Sequence, residues 1–368
     1  MPNPSSTVHA AHPLQGLRAA SAISEARAET VAAEHYGLEV TAHRLDSERD
    51  QNFRLTAPDG RDYVLKIANP AEERAMTNLQ TGALLHLAAA DPGLPIPRIL
   101  PAQNGAHELA VAFDDDSTRM VRLLSYMDGI PMHAVKGSSG LRRDLGQCAA
   151  RLAKALRNFW HARANHKLPW DLQHAAELSS LTDAVPADRR GLVDVCLGNF
   201  VARALPVLPQ LHRQPVHNDL NLHNIVVDPV HHERISGIID FGDLTLTARI
   251  NDLAIAAAYQ VADSDDPLAP ACELIAAYHA AAPLDPIEFD ILFTLMATRM
   301  AMTVAISSWR ARRHPENRDH ILRNNDAAWA RLRRISRLSP LEAKWQIQRA
   351  CAEEQRTWPQ TIPSRHAN

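Results

Sequence analysis

The chain has 368 residues, 46% of them hydrophobic, enough for one large domain or two of ordinary size and too apolar for wholesale disorder. Its net charge of −3 gives no electrostatic footprint for nucleic acid, and no basic run points to a membrane surface. Four cysteines, at 148, 196, 272 and 351, are widely spaced with no C-x-x-C pair, so neither a zinc site nor a disulfide framework is indicated; reduced thiols in a cytoplasmic protein are the expectation.

Residues 1–22 are small, aperiodic and rich in Pro, Ser and His, and are expected to be a flexible lead-in. They lack the continuous apolar stretch of a secretory signal. An Ala-rich helix is predicted over Ser24–Tyr36, with Gly37 as its stop. Strands follow at Leu38–Leu45, Asn52–Thr56 and Asp62–Ile67, the last two joined by a Pro58-Asp59-Gly60 turn. Pro70 opens a helix that runs to about Ala90, where Asp91-Pro92-Gly93-Leu94-Pro95-Ile96-Pro97 breaks it. Two more strands, His107–Phe113 and Thr118–Tyr126, flank an acidic turn. Met127-Asp128-Gly129 is a connector and the predicted lobe boundary, giving 23–127 as a first, β-rich lobe and 128–368 as a second.

Beyond the connector the pattern changes to three- and four-residue apolar spacing. Helices are predicted over Ser139–Ala162 and Arg189–Leu208, and in several segments from Ile250 to Glu354. Strands at Pro215–His217, Ile225–Asp228 and Ile235–Asp240 interrupt them. Apolar runs such as Leu253–Tyr259 are far shorter than the ~20 residues that span a bilayer. The whole is an α+β chain, a small β-rich lobe followed by a larger, mainly helical one.

The chemistry concentrates in His217-Asn218-Asp219-Leu220-Asn221-Leu222-His223-Asn224 and the following Ile238-Ile239-Asp240-Phe241-Gly242-Asp243. Phosphoryl transfer asks a protein to align a hydroxyl with a phosphate and to neutralise charge. Asp219 suits the role of orienting and deprotonating the hydroxyl. Asn224 offers an amide oxygen to Mg²⁺ without a further negative charge, and Asp240 a carboxylate. A carboxylate ending an apolar strand is costly unless paired or metal-bound, which supports the Asp240 reading. Asp243 is a weaker candidate for a second metal or a cap. Lys66, alternating with Leu65 and Ile67, is the cation for the phosphates. The loop Asp46–Asn52 precedes the second strand; it has no glycine, but Ser47 and backbone N–H groups can approach phosphate oxygens.

On these residues the chain resembles the aminoglycoside phosphotransferase/choline kinase superfamily, which has a protein-kinase-like two-lobe fold, over about residues 28 to 354. A finer likeness, to hydroxylysine kinase-type proteins, is carried by Leu45–Phe53, Val64–Ile67, Pro95-Ile96-Pro97-Arg98, Trp170-Asp171, Ile238–Asp243 and Ser308-Trp309-Arg310. The resemblance implies that Lys66 contacts the phosphates of ATP or GTP and that Asp219 is catalytic, with Asn224 and Asp240 binding Mg²⁺. It also implies that Val121–Met127, with Leu124 and Tyr126, holds the purine. One position departs from the superfamily: the helix residue expected to pair with the lysine is Gln80 instead of a glutamate.

The implied acceptor is a hydroxylated amino acid or amino alcohol, 5-hydroxylysine first, with homoserine, choline, ethanolamine and aminoglycosides as alternatives. For its charged groups the sequence offers Trp170 with Asp171, Asp252, and Arg299 in an otherwise apolar helix. A silent, nucleotide-binding pseudokinase is the reading from another class; the intact Asp219, Asn224 and Asp240 argue against it. No A-P-E signature follows Asp240, as a protein kinase would require.

Overall fold

The computed structural model describes residues 21–47 and 50–357. The lead-in therefore lies outside the described residues, apart from its last two. The chain divides into two compact units. One takes in the chain through Asn78, Leu100–Leu124 and Lys167–Pro169; the other takes in Leu79–Ile99, Ser125–His166 and the chain from Trp170.

The first unit begins with α1 (Glu25–Tyr36). Ser24 caps it by accepting a hydrogen bond from the Arg27 N–H, and Gly37 ends it in the left-handed region at φ 66°. Three antiparallel strands follow: β1 (Thr41–Leu45), β2 (Gln51–Thr56) and β3 (Asp62–Ile67). Thr41 pairs with Thr56, and Asn52 with Lys66. Gly60 supplies the turn between β2 and β3 at φ 82°. Chain order continues with α2 (Arg74–Ala90), β4 (Ile99–Leu100), β5 (Leu109–Ala112) and β6 (Thr118–Ser125). The sheet order is β1-β2-β3-β6-β4, with β5 also paired to β6. Strand alternation decides the core: Tyr63, Leu65 and Ile67 of β3 are buried, while Val64 and Lys66 are half-exposed. Ala28, Val31 and Ala32 of α1 join Phe53, Leu55, Leu65, Val121 and Leu123 in one apolar cluster. Each such large side chain contributes about 1.5–3 kcal/mol on burial.

The second unit claims the back of α2. Gly82 lies close to the Phe159 ring, His86 Nε2 meets the Ala155 carbonyl at 2.9 Å, and Arg151 grips Asp91 with two nitrogens. That is why the division is discontinuous where the sequence suggested one cut after Met127. The unit continues with β7 (Ile130–Pro131), α3 (Ser139–Leu156), a 3-10 stretch (Leu172–Ala184) and α4 (Ala187–Asn199). Next come β8 (Arg213–Val216), β9 (Ile225–Val227), β10 (Ile235–Ile238) and β11 (Thr245–Ala248). The helices α5 (Ile250–Ala258), α6 (Ala269–Ala281), α7 (Pro286–Arg313), α8 (Arg318–Leu322), α9 (Asn325–Ile335) and α10 (Pro340–Thr357) complete it. The strands form a sheet in the order β10-β9-β7 and a separate β11-β8 pair. α3 packs on α6, α6 on α10, and α7 on α5, α9 and the 3-10 stretch.

Helix α3 stops six residues before the predicted Ala162, because Phe159 turns back onto Gly82 and His86. The predicted Arg189–Leu208 helix breaks up after Asn199 into a π turn and a 3-10 turn. Helix α7 is apolar and long enough to cross a membrane on composition, but 89% of its apolar window is buried inside the protein, so it is a core helix. The four cysteines are buried and free, and burial pushes each thiol up to about 12, which makes them poor nucleophiles.

Candidate active site

In the first unit, Lys66 is 16% exposed at the side chain. Its ion partner within the unit is Asp50, at 3.8 Å, just ahead of β2. The same Asp50 oxygen lies 4.0 Å from Arg122, a fully buried arginine on β6. Burial works against the Arg122 charge and lowers its pKa, and Asp50 is foremost among the acidic neighbours that restore it. Asp50 lies in the Asp46–Asn52 loop and Arg122 in the Val121–Met127 segment that the sequence analysis named, but neither was given a role of its own. The cross-strand register of β2 and β3 was the available signal, because it sets the start of β2 beside the end of β3. Ser47 is exposed between β1 and β2, and its neighbours 48–49 lie outside the described residues. Leu124 is buried near the end of β6. Gln80 is buried on α2, in the part of that helix that belongs to the second unit. Tyr126, half-buried, follows β6 in the second unit as well.

In the second unit, β8 delivers the chain into the motif. Asp252, in the first turn of α5, accepts the His217 N–H at 2.9 Å and the Asn218 N–H at 2.7 Å. These bonds hold Asn218 in the left-handed region, at φ 66°. Burial pushes the Asp252 carboxyl up, and His217 with the two N–H groups pulls it back. Both oxygens of Asp252, which the sequence offered to the acceptor, thus accept backbone N–H groups. His217 Nε2 meets the Ile239 carbonyl at 3.0 Å, and its ring stands edge-on to Phe241. That histidine ties the two halves of the motif together.

Asp219 sits on this support. Its Oδ2 accepts from Asn221 Nδ2 at 2.7 Å and Asn224 Nδ2 at 2.8 Å; its Oδ1 accepts from Arg299 at 2.7 Å. Asn224 also donates to the Asp219 carbonyl. Its amide thus donates through Nδ2 alone, and the amide oxygen is the end available to a cation. The Ile239 N–H donates to the Asn224 carbonyl at 2.9 Å, which sets Asp240 next along from Asn224. Asp240 itself is exposed, at φ 64°, in the turn after β10, and accepts the Gly242 N–H. The strand ends two residues earlier than predicted, so the argument from a buried carboxylate does not hold. The left-handed turn presents the carboxylate instead.

The proposed acceptor residues divide. Asp171 is fully buried; it caps the 3-10 stretch through the Gln173 N–H and accepts the Thr247 hydroxyl. Burial raises its carboxyl against those bonds. These bonds give Asp171, which the sequence offered to the acceptor, a bracing role within its own unit. Trp170 is half-buried, with its ring 5.3 Å from the Arg299 guanidinium and its carbonyl bonded to Arg299 Nη1. Arg299, which the sequence offered to the acceptor's carboxylate, donates here to Asp219 and to the Trp170 carbonyl. Asp243 is half-buried, near enough to Arg299 to support its charge. His223, between the two motif residues, stacks on His133 at 4.2 Å and meets Asn324; burial lowers its pKa.

A model of the phosphotransferase enzyme family matches residues 41–287, two thirds of the chain. The chain belongs to that family. Hydroxylysine kinase of Mus musculus is 27% identical over 338 residues, covering 85% of this chain and 89% of that one. Among solved structures, an amicoumacin kinase in complex with AMP-PNP and Ca²⁺ superposes with a TM-score of 0.61 at 16% identity, over 92% of this chain and 95% of that one. A microcompartment-associated aminopropanol kinase gives 0.59 at 15%, over 90% and 99%. The fold is thus the α+β, protein-kinase-like class with a β-rich first lobe and a mainly helical second. This phosphotransferase is a small-molecule kinase that transfers phosphate to a hydroxyl group.

Proposed function

We propose that the enzyme moves the γ-phosphate of ATP or GTP to the hydroxyl of an amino acid or amino alcohol, with 5-hydroxylysine the first candidate. The observation that carries this reading is the Asp219 carboxylate, held by three side-chain donors on a loop braced by Asp252. The likeness to hydroxylysine kinase supports the acceptor class. In this reading the acceptor hydroxyl hydrogen-bonds to Asp219, and its oxygen forms a bond to the γ-phosphorus. The bond to the bridging oxygen breaks, its electron pair leaves with the nucleoside diphosphate, and the hydroxyl proton passes to Asp219. Lys66 is the phosphate-binding cation of the first unit, with Leu124 and Tyr126 at the purine and Ser47 at the phosphates. The donor set suits a hard divalent ion such as Mg²⁺, which takes one or two protein oxygens and completes its shell with phosphate and water. Asn224 and Asp240 would supply those oxygens, and Asp243 is a further candidate. The bound ion neutralises phosphate charge. Four free, buried thiols fit a cytoplasmic enzyme.

A coupled nucleotide-consumption assay tests the reading. It pairs ATP and GTP with 5-hydroxylysine, homoserine, ethanolamine, choline and an aminoglycoside. Highest kcat/KM with 5-hydroxylysine is expected; turnover confined to an aminoglycoside or choline would overturn the acceptor.

A further inference from the structure

We infer that Arg299 is a positioning residue that fixes the orientation of Asp219 and leaves one oxygen, Oδ1, to receive the acceptor hydroxyl. The inference rests on the reading of Asp219 as the hydroxyl-accepting group. Arg299 stands in the middle of α7 and is 2% exposed. A charge buried in an apolar helix is costly unless it is paired and hydrogen-bonded. Burial opposes the Arg299 charge, but Tyr259, Asp219 and Asp243 outweigh it and hold its pKa above the usual arginine value. The guanidinium plane is pinned from several directions. Nη1 donates to the Trp170 carbonyl at 2.9 Å, the Trp170 ring lies 5.3 Å away, and Tyr259 is close enough to support the charge. Nη2 extends from this fixed plane to Asp219 Oδ1 at 2.7 Å.

Asp219 is then held at both ends, because Asn221 and Asn224 occupy Oδ2. A carboxylate has about four acceptor positions. Two donors sit on Oδ2 and one on Oδ1, so the remaining position is on Oδ1. A hydroxyl arriving there meets a carboxylate that cannot rotate. Lysine could not do the same work, since a single ammonium lacks the planar fork that reaches a carbonyl and a carboxylate at set angles.

Steady-state kinetics of Arg299→Lys, Arg299→Met, Tyr259→Phe and Asp219→Asn decide the matter, using the full chain, ATP and 5-hydroxylysine or whichever acceptor gives turnover. Misplacement of the reacting group by about 1 Å costs on the order of a hundredfold. Arg299→Met is therefore expected to lose about that much kcat, with both KM values within a few-fold. Arg299→Lys should recover part of the loss. Tyr259→Phe keeps the charge and the packing, so it guards against a failure of the Arg299 variants to fold; it should lower kcat several-fold at unchanged KM. A large rise in acceptor KM at unchanged kcat would make Arg299 a substrate ligand and overturn the inference. So would wild-type kcat in Arg299→Lys and Tyr259→Phe while Asp219→Asn is inactive. Wild-type turnover in Asp219→Asn would instead remove the reading of Asp219 itself.

Discussion

Asp50 stands between two cations, with Lys66 at 3.8 Å and Arg122 at 4.0 Å from one oxygen. Exchanging it for Asn removes the charge and keeps the shape. A part-buried pair of this kind contributes about 1 kcal/mol, so Asp50→Asn should raise the nucleotide KM about fivefold, with kcat nearly unchanged. Titration of nucleotide binding checks this, and an unchanged KM would free Lys66 from dependence on Asp50. Asp240 makes a different prediction. If it supplies a metal oxygen, Asp240→Ala should abolish the divalent-ion dependence of nucleotide binding while nucleotide alone still binds. Calorimetry with and without Mg²⁺ separates the two; an intact Mg²⁺ effect in the variant removes Asp240 as a ligand. At this scale, residue type in the sequence pointed to Asp219 and Asn224 because their chemistry lies within one short segment. It offered Asp171, Asp252 and Arg299 to the acceptor without their internal partners, because a charged side chain that braces the fold has the same sequence as one that meets a ligand.

At the scale of elements, α3 and α6 pack closely in the second unit. Gly146 of α3 lies where a Cβ would come within 2.3 Å of the Leu274 carbonyl on α6. Gly146→Ala must push the two helices apart, at about 1–3 kcal/mol, against less than about 1 kcal/mol gained in helix propensity. A lowered denaturant midpoint is expected, and an unchanged one would mean that α3 and α6 can part freely. The strands β2 and β3 and the helix α1 match their predicted spans closely, because turn glycines and a serine cap mark their ends locally. The 3-10 stretch after Asp171 and the strand β11 had no such mark. Strand β11 forms by pairing with β8, and its Thr247 donates to Asp171, the cap of the 3-10 stretch, across 76 residues of chain.

For the molecule as a whole, buried histidines contribute to the response to acid. His166 and His279 both have pKa values lowered by burial, and His279 Nδ1 accepts the Leu284 N–H, so it must stay unprotonated to keep that bond. The unfolded chain takes up protons at these histidines below about pH 6.5, while the folded chain resists. Their contribution to stability is therefore full above about pH 6.5 and is lost as pH drops through the lowered folded values. Thermal denaturation at stepped pH should show this loss, and His166→Gln with His279→Gln should flatten it. An equally steep loss in the double variant would assign it to other groups.

The sequence by itself determined the reaction class, the two-lobe succession of sheet and helices, and the segment that holds Asp219, Asn224 and Asp240. Those features are local: strand and helix periods repeat every few residues, and the motif is contiguous. Only the tertiary structure decided what each charged group is for. Arg299 reaches Asp219 from 80 residues away, and Asp252 reaches the His217 and Asn218 backbone from 35 and 34. Such partners are chosen by how helices and strands pack, and by the need to compensate every charge that packing removes from water.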